Sequence, residues 1–116
     1  MKYLVGASIV FLTSLVGCST PVKKTVSTPK VQGGHADVNG IKMYYEIHGD
    51  KPGTPLVLLH GGGSSIDVTY SKVLPFFSAQ RKVIALDEQG HGRSSDRPGP
   101  VVFETSADDV AARWIF

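Results

Sequence analysis

The spacing of apolar and polar positions changes character several times along the chain. An apolar run extends from Tyr3 to about Val16, and after it "STPVKKTVSTPKVQGGH" holds only isolated valines among Ser, Thr, Pro, Lys and Gly. A stretch with no face to bury is expected to be a flexible tether. Strict alternation follows: Ile41, Met43, Tyr45 and Ile47 are interleaved with Lys42, Tyr44, Glu46 and His48. Period two predicts a strand with one face in the core and the other towards water. Just before it, Asn39-Gly40 marks a tight hairpin turn, because both residues accept positive φ. Two antiparallel strands are therefore expected, closed off by the loop "GDKPGTP".

Two later segments, "PLVLLHG" and "RKVIALDEQG", are apolar without alternation. Strands covered by helices on both faces have this pattern, which predicts a parallel sheet. Between them, Val68, Val73, Leu74, Phe76 and Phe77 suit a crossover helix from Ile66 to about Ser78, bent or ended by Pro75. Strand, helix, strand is the α/β unit. A last helix is predicted in "TSADDVAARWIF", with Ser106 as its cap and Asp108 and Asp109 at the positive end of its dipole.

The apolar run near the start follows Lys2 and ends in small residues before Cys18. It reads as a secretory signal and is shorter than the about 20 residues of a comfortable membrane span. Leu15-Val16-Gly17-Cys18 resembles the lipobox of bacterial lipoproteins. That resemblance implies cleavage before Cys18, a lipid on its thiol and a place in the bacterial cell envelope; with Ser19 following, it favours the outer membrane if the cell is Gram-negative. The expected organisation is a signal peptide over residues 1–17, a lipidated cysteine and tether over 18–35, and a folded segment over 36–116. An ordinary signal or an uncleaved anchor with an incidental cysteine is the alternative. Cys18 is the only cysteine, so no intramolecular disulfide can form.

Charge excludes one class of function. Four of the 12 basic residues, Lys2, Lys23, Lys24 and Lys30, precede the folded segment, which is left slightly acidic. The basic pI of about 8.8 is thus no footprint of nucleic-acid binding. The tether lysines read as solvated charges, with contact to anionic headgroups as the other reading. His35, His48, His60 and His91 fall on separate elements without metal-ligand spacing, and no metal or cofactor is expected.

Taken in order, the hairpin, the buried strand ending in "HGGG", the helix, the second buried strand ending in "DEQGHGRS" and the later "ADDVAA" resemble the N-terminal third of the α/β-hydrolase fold superfamily. The resemblance covers about Ala36 to Ala112, so the fold class expected is α/β, an antiparallel hairpin leading into an incomplete parallel sheet. In that family the turn after the first buried strand gives an N–H to the oxyanion hole. The resemblance implies Gly62 as the donor, with Gly63 next, and a loop braced by His60, Asp87, Gly90, Gly92 and Ser94. Without it, "HGGGSS" is merely a flexible turn. His91 or Asp87 as a catalytic group is the competing reading, disfavoured because the family's acid and base follow the nucleophile. Gly90-His91-Gly92 is a weak dinucleotide fingerprint, with Ser95 in place of the third glycine.

The family presents its serine in G-x-S-x-G at a strand-to-helix turn, and no such motif occurs in the 116 residues. The surroundings of Ser64 and Ser94 do not fit it. Other family members use an aspartate, so the reading extends to hydrolysis of an ester, amide or related bond by a nucleophile-acid-histidine triad. The chain itself is expected to be a truncated or frameshifted form, inactive alone. The alternative is a non-catalytic envelope lipoprotein acting as a binding or structural module.

Overall fold

A computed structural model describes residues 31–114. The signal-like segment, Cys18 and the start of the tether lie outside the described residues. The chain forms strands β1 (Val31–Val38), β2 (Ile41–His48) and β3 (Leu56–Leu59), helices α1 (Ile66–Tyr70) and α2 (Leu74–Ser78), strand β4 (Val83–Leu86) and helix α3 (Phe103–Trp114). The sheet order is β1-β2-β4-β3. β1 and β4 both run antiparallel to β2, and β3 runs parallel to β4. The hairpin follows from Asn39 and Gly40, whose φ values are 44° and 86°; two successive positive φ angles give the turn whose twist matches the strands it joins.

β1 begins inside the stretch read as tether. Val31 pairs with His48 and His35 with Tyr44, so β2, which is strongly patterned, supplies a ladder for a partner with little pattern of its own. Gly33 and Gly34 leave room for the Tyr44 and Tyr45 side chains beside them.

The sheet is covered on both faces. On one, Ala36, Val38, Ile41, Met43, Ile84 and Leu86 form a core closed by Val110 of α3. On the other, Val83 and Ala85 pack with Ile66 and Leu74 from α1 and α2. All four residues of β4 are buried, as its unbroken apolar run predicts for a strand between two layers. β3 has the same kind of sequence but is only partly buried, with Leu59 44% exposed. Among the described residues it has a neighbour on one side only.

Three local expectations are corrected. The crossover is two short helices rather than one, and Pro75 sits in the first turn of α2. There its missing N–H costs nothing; the break comes before it, at Ser71–Val73. α3 starts at Phe103, so Ser106 does not cap it but donates its N–H to Val102 O. The alternate face of β2 does not look to water: Glu46 and His48 are each 8% exposed, and only Lys42 stays in solvent.

Candidate functional site

The two glycine-containing loops that follow β3 and β4 lie side by side, because parallel strands deliver their carboxyl ends to the same edge of a sheet. The first is His60-Gly61-Gly62-Gly63. His60 is buried and acts in two directions: Nδ1–H donates to Gly61 O (2.8 Å), and Nε2 accepts the Glu88 N–H (3.0 Å). It thereby ties the first loop to the second. His91 answers from the other side, accepting the Gly63 N–H at Nε2 (3.0 Å) while its Nδ1–H donates to Gln89 O (2.8 Å). The two imidazole rings stand 5.1 Å apart. Gly63, the second donor that the sequence resemblance implies, thus has its N–H engaged. The N–H of Gly62 has no partner among the described residues, and Gly62 is exposed.

The second loop is organised by Asp87, which is fully buried. Oδ1 accepts the Ile66 N–H at the start of α1 (2.7 Å), and Oδ2 accepts from Arg93 N (3.0 Å) and Arg93 Nε (3.3 Å). A carboxylate deprived of water is stabilised by such charge-assisted bonds. Gly92 is required beside it: φ is 51°, and a Cβ there would come within 2.2 Å of Asp87 Oδ2. Ser94 accepts the Tyr44 N–H at Oγ (2.8 Å) and donates to Asp87 O, while Ser95 Oγ accepts the Lys42 N–H (2.8 Å). The bonds of Ser94 and Ser95 therefore reach β2 and are not only local. Gly90 donates its N–H to Ser95 O (3.1 Å).

Arg93 explains the buried face of β2. Its guanidinium lies 3.9 Å from the Tyr44 ring centroid and pairs with Glu46 (3.1 Å) and Asp67 (3.5 Å) as well as Asp87. Burial works against this charge, but the Asp87 bond and the neighbouring Tyr44, Asp67 and Glu46 outweigh it, so Arg93 is held charged even more firmly than usual. Burial, reinforced by Glu46, pushes the Tyr44 hydroxyl up from its ordinary range. Glu46 also binds His48 Nε2 at 2.7 Å.

Several residues that hold the site gave no signal in the sequence. Gln89 is buried and donates to Asp96 Oδ1 (2.8 Å); that bond and the Arg97 N–H hold the Asp96 carboxyl below its ordinary range. Asp109, 1% exposed, accepts from Asn39 Nδ2 (2.9 Å) and from Arg97, fastening α3 to the hairpin turn. In the sequence it looked like a charge for the helix dipole.

Between the loops and the start of α3 lies an open crevice of about 490 Å³. Its lining includes Gly62, His60 and His91 together with the apolar Leu59, Val101 and Val102. An unpartnered N–H in such a crevice can stabilise an oxygen that becomes negative during reaction. Among the described residues, no three His, Cys, Asp or Glu side chains form a group that could hold a metal ion, and no helix is long and apolar enough to cross a membrane.

The family model described as the alpha/beta hydrolase fold matches residues 54–115. The chain belongs to this family. Among curated relatives, a non-heme chloroperoxidase of Streptomyces lividans is 38% identical over 74 residues, covering 64% of this chain and 27% of the relative. A proline iminopeptidase of Lactiplantibacillus plantarum is 44% identical over 61 residues, 49% of this chain and 21% of that protein. Of solved structures, an epoxide hydrolase superposes with a TM-score of 0.65 at 35% identity, over 72% of this chain and 28% of the other. A haloalkane dehalogenase variant from Bradyrhizobium elkanii gives a TM-score of 0.64 at 25% identity, over 72% and 27%. This α/β hydrolase chain thus spans between a fifth and a third of the proteins it resembles here.

Proposed function

We propose that these residues form the oxyanion-loop portion of an exported, lipid-anchored α/β hydrolase. The complete protein cleaves an ester, amide or related bond through a nucleophile, an acid and a histidine. One observation carries the reading: Gly62 lines the crevice and its N–H has no partner among the described residues, while the peptides on either side of it are held by His60 and His91. In acyl transfer a fixed amide dipole stabilises the tetrahedral oxygen without reorganising when charge develops. Family membership supports the same assignment, since the loop after this strand supplies one of the two oxyanion donors. Because the 116 residues contain no G-x-S-x-G, we assign the nucleophile, acid and base to sequence outside them. The lipid anchor rests on Leu15-Val16-Gly17-Cys18, and with it the cell envelope as location.

The test begins with sequencing the gene through and past the codon for Phe116 and translating all frames. A serine or aspartate elbow with a later acid and histidine is expected. A stop codon followed by nothing of this kind in any frame would overturn the proposal. In the complete protein, Gly62→Pro removes the N–H, and kcat for an activated ester is expected to fall about 10²-fold or more; an unchanged kcat would remove Gly62 from the oxyanion hole.

A further inference from the structure

Three consecutive glycines make the least constrained loop a chain can have, yet an oxyanion donor is effective only when it is fixed in advance. Each peptide unit is planar and trans, so its C=O and N–H point in opposite directions. Gly61 O and Gly62 N–H share one such unit, and the His60 bond to Gly61 O therefore aims the Gly62 N–H away from His60 Nδ1. Gly62 O and Gly63 N–H share the next unit, and the His91 bond to Gly63 N–H turns the Gly62 carbonyl away from His91 Nε2.

We infer that His91 is a positioning residue: by accepting the Gly63 N–H it locks the peptide between Gly62 and Gly63, whose flip would swing the Gly62 carbonyl to the His91 side of the loop, and so holds in place the residue that carries the Gly62 N–H. The inference rests on Gly62 being the oxyanion donor. Its chemistry requires one tautomer, with the proton on Nδ1 and the lone pair on Nε2. The bond from Nδ1–H to Gln89 O selects that tautomer, and Gln89 is itself buried and anchored to Asp96. The clamp falls at a residue that packing does not fix from the side: Gly63 has a φ of 72° and no neighbour within 4 Å of a Cβ position. A relay thus runs from Asp96 through Gln89 and His91 to the oxyanion loop. In this role the imidazole works through the loop.

The test uses NMR on the full 116-residue chain. In the unsubstituted protein, a through-hydrogen-bond coupling is expected between Gly63 N and His91 Nε2, with the His91 proton on Nδ1. In His91→Phe, the Gly63 amide should exchange about tenfold faster while the amides of β4 keep their rates. His91→Gln, which returns an acceptor oxygen near the Nε2 position, should bring Gly63 back to within about twofold of the original. A proton on Nε2, a missing coupling, or unchanged Gly63 exchange in His91→Phe would each overturn the inference. If His91→Phe fails to fold, the coupling and the His91→Gln rate decide it alone. Since the readout is an amide exchange rate and not turnover, a wrong assignment of Gly62 leaves these results intact, whereas a wrong role for His91 does not.

Discussion

Adding one methyl group at Gly92 and the same group at Gly40 separates a backbone effect from a steric one. Both glycines have positive φ, 51° and 86°, so each alanine variant incurs the left-handed penalty of about 1–2 kcal/mol. At Gly40 nothing lies within 4 Å of the new Cβ, and that penalty is the whole cost. At Gly92 the Cβ falls 2.2 Å from Asp87 Oδ2 and 2.4 Å from its Cγ, so the carboxylate must move. Asp87 has nowhere to go, since it is fully buried and its two oxygens hold Ile66 N, Arg93 N and Arg93 Nε. Hydrogen bonds to a charged group contribute about 1.5–3 kcal/mol each, and displacing the carboxylate weakens at least one of them on each oxygen. Gly92→Ala is therefore expected to destabilise by about 3 kcal/mol or more beyond Gly40→Ala, a large part of the about 5–15 kcal/mol that holds a typical domain. Urea unfolding followed by far-ultraviolet circular dichroism measures both. Equal losses, within about 0.5 kcal/mol, would show that the Asp87 carboxylate does not organise the loop as the distances require.

Other perturbations address separate parts of the chain. Asp109→Ala leaves the Arg97 guanidinium without its buried partner, and a loss of about 2–3 kcal/mol is expected, with α3 amides losing protection before those of β4; uniform exchange across the chain would refute a local role. The Asp96 carboxyl is held below its ordinary range by Gln89 and the Arg97 N–H, so its contribution to stability is present above the unfolded carboxylate pKa of about 3.9 and is lost as pH falls through the lower folded value. Asp96→Asn should flatten that part of the acid limb, and an unchanged limb in urea titrations would count against the relay. Cys18→Ala should release the protein from membranes and abolish fatty-acid labelling; persistent labelling would remove the lipid anchor from the proposal. The 116 residues alone should neither hydrolyse an activated ester above a denatured control nor react with serine-directed phosphonates, and stoichiometric labelling would place a nucleophile within them.

What could be read in advance, and what could not, divides along the range over which each interaction acts. The hairpin at Asn39-Gly40 and the burial of β4 depend on a residue and its immediate neighbours, and both are visible in a window of a few positions. β1 escaped because its place is set by pairing with β2, and a strand containing Gly33 and Gly34 carries little local propensity of its own. The covered face of β2 escaped for a stronger reason. Period two in Tyr44, Glu46 and His48 is the mark of a solvated face when considered alone, and it is reversed by Arg93, which arrives from the loop after β4 to neutralise Glu46 and stack on Tyr44. That same arginine binds Asp87, and Asp87 binds the start of α1. The polar residues of β2 are consequently part of what fixes the glycine loops. The motif glycines could be found in the sequence because close approach and positive φ demand glycine itself. The parts played by His91 and Gln89 could not, because many side chains can donate or accept a hydrogen bond and only the fold decides which of them meet.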